Sequence, residues 1–211
     1  MDFQGFSNDD FEVFGVAGLE PRMAALKQHL RPKLEQLGRD YEDILSESLG
    51  RPVYAHVAKH ARRTVNAPND SWVAFCHDKR GYKKHPHFQI GMWRTHAFAT
   101  FGLIYESAER QHYAEQLKAH HVEVLRAVPG DYVWIPNHMD TFSLRAADVD
   151  AEGLSILADK MAQGRQGELM VGIKIDQRDA VKMSATEFEK QVSDCFRTIK
   201  PLYQLAYSEG E

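Results

Sequence analysis

The chain has 211 residues, 43% of them hydrophobic, and a net charge of -4, which suits a single domain over residues 1–211 whose core needs no disulfide or metal. Its two cysteines, Cys76 and Cys195, are far apart and in no Cys-x-x-Cys or Cys/His spacing. This excludes a disulfide framework and a zinc ribbon, and it favours a reducing, cytoplasmic compartment. The opening MDFQGFSNDDFEVF is not a signal peptide and no run of roughly 20 apolar residues is present, so a soluble protein without a membrane partner is expected.

Ser7, with Asp10 three residues on, predicts a short helical turn before Gly15 and Gly18. Glu20-Pro21 opens a strong helix with Met23, Leu26 and Leu30 on one face; Pro32 should kink or break it. A second stretch carries Leu34, Leu37, Tyr41, Ile44 and Leu45 and ends at Gly50-Arg51-Pro52. The period then changes. Val53-Tyr54, 72–76, 87–93 and 96–105 are short, aromatic or β-branched, and bounded by turn residues, as strands are. NAPND (66–70) and HDKRG (77–81) read as turns, and such short links favour antiparallel hairpins.

Ser107 should cap one long helix reaching about Ala127, stopped by Pro129-Gly130. A strand at 132–135, a helix at 150–163, a strand at 169–175 and a helix opened by the capping box Ser184-Ala185-Thr186-Glu187 follow, with Pro201 expected to bend or end the last. SEGE at the end reads as a frayed tail. The order suits an α+β domain, a largely antiparallel sheet with helices packed on one side, and not a doubly wound parallel sheet. No dinucleotide fingerprint, P-loop, nucleophile elbow or H-E-x-x-H is present, so no cofactor is evident.

The chemistry gathers in one stretch. Residues 51–96 carry nine Lys or Arg against two acids, Asp70 and Asp78, and residues 56–93 hold five of the eleven histidines. A basic island in an acidic chain attracts an anion without making the whole surface adhere to nucleic acid. His60, Arg62 and Arg63, followed by Asn66 and Asn69 in a turn, suit a phosphate or carboxylate: the guanidinium fork pairs with its oxygens while amides add hydrogen bonds. The plain alternative pairs one arginine with an acid such as Glu47. On the strand at 87–93, His87, Gln89, Gly91 and Trp93 share one face and make a candidate pocket floor, with Phe88, Ile90 and Met92 in the core. His56, His60 and His87 form an alternative set of metal ligands for a hydrolase, although nearby Lys and Arg would repel a divalent cation. Lys79, Arg80, Lys83 and Lys84 at a hairpin tip, with Tyr82, give a third reading, a nucleic-acid or protein contact. Cys76 beside His77 is not an activated pair, since neighbours on a strand face opposite ways; Cys195 reads as packing.

HVAKHARRTVN, PNDSWVAF, KRGYK, PHFQIGMW and GDYVWIP, with the opening FSNDDFEVFGVAGLEPRMAALKQHLRPKLEQLG, resemble the YktB-like family of bacterial proteins typical of Gram-positive bacilli, in order along nearly the whole chain. The resemblance implies an α+β fold similar to biotin and lipoate ligases and class II aminoacyl-tRNA synthetases, and it brings no assigned reaction. Arg62-Arg63-Thr64 is loosely similar to the element with which lipoate ligases hold an adenylate, but VNAPND replaces the glycine-rich loop of those enzymes. Lys174 in VGIKID invites comparison with their catalytic lysine, in a poorly matching context. Whether the chain is an enzyme, and its oligomeric state, stay open at this level.

Overall fold

A computed structural model describes residues 3–207; the expected frayed tail, 208–211, lies outside them. Ser7 precedes α1 (Asn8–Glu12), where the Asp10 carboxylate accepts from Ser7 N at 2.7 Å and Ser7 Oγ at 2.9 Å. Asp10 is buried, and Lys33 Nζ at 2.5 Å supplies the opposite charge that such burial requires.

α2 (Leu19–Ala25), a π-helical turn (Leu26–Leu30) and α3 (Arg31–Leu49) make one continuous helical run. Pro32 therefore does not break the helix. Proline offers no N–H to the carbonyl four residues back and crowds it, and the wider π turn immediately before it relieves that crowding. Leu26, Leu30, Leu34, Leu37, Tyr41 and Leu45 are buried along the run. Gly50, at φ 66°, ends it with its N–H on Glu47 O at 3.3 Å, a left-handed stop that glycine adopts without steric cost.

Seven strands follow among the described residues: β1 (Tyr54–Val57), β2 (Asp70–Cys76), β3 (His87–Trp93), β4 (His96–Leu103), β5 (Val133–Ile135), β6 (Leu144–Arg145) and β7 (Leu169–Asp176). They form a largely antiparallel sheet in the order β1-β2-β3-β4-β7-β5-β6. β1 and β2 pair Tyr54 with Cys76 and Val57 with Val73; β5 pairs Ile135 with Met170 of β7 and Val133 with Arg145 of β6. The class is α+β. β6 is only two residues long and was not foreseen.

Two helices depart from expectation. In place of one helix capped by Ser107, α4 (Arg110–Ala119) and α5 (His121–Ala127) meet at His120, whose φ and ψ of -108° and 27° leave the helical region. The sequence there, His-His-Val-Glu-Val, is poor in strong helix formers. Ser107 Oγ does accept from Glu109 N, at 3.3 Å. α6 (Ala151–Gln163) is capped by Asp150 through Gly153 N at 2.8 Å, and α7 (Gln177–Ala180) follows β7. The Ser184–Glu187 capping box opens α8 (Ala185–Leu205), which runs on through Pro201.

The chain divides into two compact units. The first comprises Met1–Lys79, Gln89–Phe98 and Lys174–Val192. In it, α3 lies on β1 and β2, closely enough at Gly38 that a Cβ there would stand 3.3 Å from Ala55 Cβ and 3.4 Å from Val73 Cγ2. Phe3 and Phe6 pack with Phe188 beside this layer. The second unit comprises Arg80–Phe88, Ala99–Ile173 and Ser193–Glu211. There, Phe88 meets Phe101, Phe196 and Tyr203, while α4, α5 and α6 pack on one another. Arg110 Nη1 binds the carbonyls of Met161, Gly164 and Gly167 at 2.9–3.1 Å, tying α4 to the end of α6 and satisfying acceptors that a helix terminus leaves open.

Candidate functional site

The pairing of β1 with β2 sends the connection between them, residues 58–69, off one end of the ladder, which closes with Ala58 N on Trp72 O at 2.8 Å. His60 in this connection has φ 51°, the one positive value outside glycine among the described residues. Left-handed backbone is costly for a side chain with a Cβ. It turns the chain sharply, with Arg63 N on His60 O at 3.1 Å, and leaves the imidazole over β2. His60 Nε2 lies 3.1 Å from Ser71 Oγ, and its ring meets Trp72 at a centroid distance of 5.6 Å, nearly perpendicular.

The electrostatics around His60 are one-sided. Burial, then the charges of Arg63 and Arg31, push its pKa down to about 4, so the imidazole is neutral at pH 7. Arg31 Nη2 donates to Lys59 O at 3.3 Å and Arg63 Nη1 to Asn66 O at 3.4 Å. Among the described residues, no carboxylate pairs with Arg31, Arg62 or Arg63. Arg62 and Asn66 are exposed, and Val65 beside them is 78% exposed. Asn69 has other work: its Oδ1 accepts from Arg22 Nη1 at 3.2 Å, and Arg22 also holds Pro68 O and Val16 O.

The remaining candidates are more enclosed. Gln89 is buried and Trp93 half-buried. A Cβ on Gly91 would stand 2.4 Å from Phe98 Cζ and 2.7 Å from Trp72 Cβ, so these two side chains close over the strand at that point. His87 belongs to the second unit. It is fully buried, with Nδ1 2.7 Å from His85 O and its ring against Tyr82. His56 Nε2 lies 3.0 Å from Asp78 O. Among the described residues, no group of three His, Cys, Asp or Glu stands where it could hold a metal ion.

Both thiols are held in the protonated state. Cys76 Sγ donates to Asp78 O at 3.4 Å, and burial pushes its pKa up to about 11; burial pushes Cys195 up to about 12. At the hairpin tip, Lys83 pairs with Glu106 at 2.9 Å and Lys79 Nζ lies 5.9 Å from the Tyr54 ring centroid. No helix of the described residues is long and apolar enough to cross a membrane.

The family model described as a domain of unknown function, DUF1054, matches residues 6–203. The chain belongs to this family. It is similar to UPF0637 proteins of Bacillus velezensis, 43% identical over 95% of each chain, and of Bacillus cytotoxicus, 43% identical over 97% of this chain and 99% of the other. The UPF0637 protein of Bacillus licheniformis is 39% identical over 95% of each. The descriptions of these relatives assign no reaction.

Sequence reading missed three contributors. Arg31 falls at the end of the helix expected before Pro32 and Ser71 between the expected turn 66–70 and the strand 72–76, and nothing local ties either to His60. The third is in the second unit: Glu168, 5% exposed, accepts from His138 N at 2.7 Å and lies 2.6 Å from His138 Nδ1. The register Ile135 to Met170 carries these residues toward each other past the strand ends, a signal visible only once that pairing is known.

Proposed function

We propose that the chain binds a small anion, a nucleotide or a phosphorylated metabolite, at the turn 60–66, with Arg31, Arg62, Arg63, His60 and Ser71 as its contacts. The observation that carries this reading is the pair Arg31 and Arg63: they hold the Lys59 and Asn66 carbonyls on either side of His60, and neither has a carboxylate partner among the described residues. Two uncompensated guanidiniums beside a largely buried imidazole repel each other, and an anion between them removes that repulsion. His60 and Ser71 then offer neutral hydrogen-bonding groups, and the exposed Arg62 and Asn66 close the outer side. The loose likeness of Arg62-Arg63-Thr64 to the adenylate-holding element of lipoate ligases points the same way as analogy only. Asn69 holds the turn in place through Arg22. The protein is taken to act inside the cell, where its two unbridged thiols persist.

Calorimetry at low salt with inorganic phosphate, nucleotides and phosphorylated sugars tests the reading. We expect binding that weakens at least tenfold in Arg63→Ala and in Arg31→Ala and that falls with added salt. No binding by any of these anions, or binding by either variant equal to that of the unmodified chain, would overturn it.

A further inference from the structure

We infer that the end of the β3–β4 hairpin, with β7 beside it, is a second ligand site, one that takes a small monocarboxylate on an apolar body and holds it by Trp93 Nε1, His96 Nε2 and Lys174. It shares no residue with the turn 60–66 and stands or falls apart from that reading.

β3 ends at Trp93 and β4 begins at His96, so Arg94 and Thr95 alone make the turn, and Trp93 and His96 face each other across the hairpin on one side of the sheet. The approach of Phe98 to Gly91, one pair further in, marks the same side. β7 borders β4, and Gln177 N on Thr95 O at 2.9 Å fastens its end to the turn. The half-buried Lys174 and the exposed Asp176 on β7 both act on His96 through their charges.

His96 is only 7% exposed. Its Nδ1 lies 2.8 Å from Thr95 Oγ1, while Nε2 has no hydrogen-bond partner among the described residues and is not among their sealed interior atoms. Polar groups this enclosed are ordinarily paired. A Thr95 hydroxyl that donates to Nδ1 leaves the ring hydrogen on Nε2 as an open donor. Burial, then the charge of Lys174, push the pKa of His96 down to about 4 against the opposite pull of Asp176, so the donor is neutral at pH 7. Trp93 is half-buried and has neither a hydrogen bond nor a ring contact among the described residues, so its indole N–H is a second open donor.

Two neutral N–H groups and one ammonium call for two acceptor oxygens and a single negative charge, and a carboxylate has both. Arg94 adds no charge to spare, being paired with Glu12 at 2.8 Å. Asp176, whose Oδ1 accepts from Arg178 N at 2.9 Å, offsets Lys174 and opposes a dianion such as phosphate. The Trp93 ring, with Phe98 behind it, offers apolar surface to the body of the acid.

The test titrates the full chain with benzoate, acetate, benzamide and inorganic phosphate while NMR follows the His96 ring and the indole N–H signals of the three tryptophans. We expect benzoate to move the Trp93 and His96 signals saturably and leave Trp134 in place, and to bind more tightly than acetate, benzamide or phosphate. A hydrogen bond to a charged group is worth about tenfold or more, so Lys174→Met and Trp93→Phe, which keeps the ring without its N–H, should each weaken benzoate by about that factor. His96→Gln keeps a donor and should lose less. Arg63→Ala should bind benzoate as the unmodified chain does. No response of Trp93 and His96 to benzoate in the unmodified chain overturns the site without recourse to any variant. Phosphate or benzamide as tight as benzoate overturns the carboxylate, and acetate as tight overturns the apolar body. Undiminished binding by Lys174→Met or Trp93→Phe overturns the assigned contacts, and loss of binding in Arg63→Ala overturns the separation from the turn 60–66.

Discussion

Glu168 holds His138 by two bonds at once, one to the backbone N–H at 2.7 Å and one to Nδ1 at 2.6 Å. The carboxylate is almost fully enclosed and the imidazole largely so. Both oxygens are used on one residue, which fastens the connection between β5 and β6 at its first turn. Glu168→Ala removes both of these bonds to His138 and is expected to destabilise the fold by about 3 kcal/mol. His138→Ala keeps the backbone bond and should cost less. Urea unfolding of both single variants and the double variant measures the coupling; additive losses would show that the imidazole bond contributes nothing.

Acid should weaken the fold through two histidines. His60 and His96 both have pKa values near 4, in each case chiefly because burial disfavours the charged ring. In the unfolded chain the same groups titrate near 6.5. Between pH 6.5 and 4 the unfolded state binds more protons, so stability is full above 6.5 and falls as pH drops toward 4, by up to about 3 kcal/mol for each. Denaturation midpoints at pH 7, 5.5 and 4.5 check this. His60→Asn should flatten part of the slope, and an unchanged slope would remove His60 from the explanation.

Removing a neighbouring positive charge should raise the His60 pKa. In Arg63→Ala it is expected to rise from about 4 while remaining below 6.5, because burial is the larger cause. Titration of the His60 ring by NMR measures it. A bound anion should raise the same pKa in the unmodified chain, so the two effects can be compared on one signal.

Gly91→Ala should be costly out of proportion to one methyl group. Its Cβ would meet Phe98 Cζ, Trp72 Cβ and Ser71 O within 2.4–2.8 Å, and a close-packed layer yields to such overpacking only at about 1–3 kcal/mol. Thermal unfolding gives the loss, and indole emission reports whether Trp72 moves.

Neither thiol should react in the folded state. Cys76 and Cys195 are buried and their pKa values are raised to about 11 and 12. Labelling by a disulfide reagent at pH 8 is expected only at the rate of opening or unfolding. Fast labelling of Cys76 in native buffer would contradict its enclosure.

What could be read in the chain was local. Ser7 with Asp10 and Ser184 with Glu187 announced two helix starts because a cap needs only its own turn. The strands β2 to β4 were marked by β-branched and aromatic residues between turn residues; β1 and β2 pair antiparallel as expected, across a link, 58–69, longer than the turn 66–70 alone suggested. His60, Arg62 and Arg63 were visible as a basic cluster. Arg31, 29 positions before His60, was not, because only the packing of α3 on β1 brings them together. The burial of Gln89 and His87 was equally hidden: strand alternation tells which residues share a face, not what covers it. The break at His120 depended on weak propensities, and Pro32 gave the right warning but not the form of the response.

That response bears on the anion contacts. A π turn spreads one loop of helix over more residues than the usual 3.6, so Leu26–Leu30 acts as an angular spacer of about one residue. Everything after it is rotated relative to what a regular helix starting at Leu19 would present. Arg31 is the first residue past the spacer, and its guanidinium arrives at the Lys59 carbonyl and within range of His60. Deleting one residue from 26–30 would restore a regular helix, yet it would swing either the arginine or the leucine stripe out of phase. The irregularity that lets the helix carry a proline also sets the compass direction of a charge.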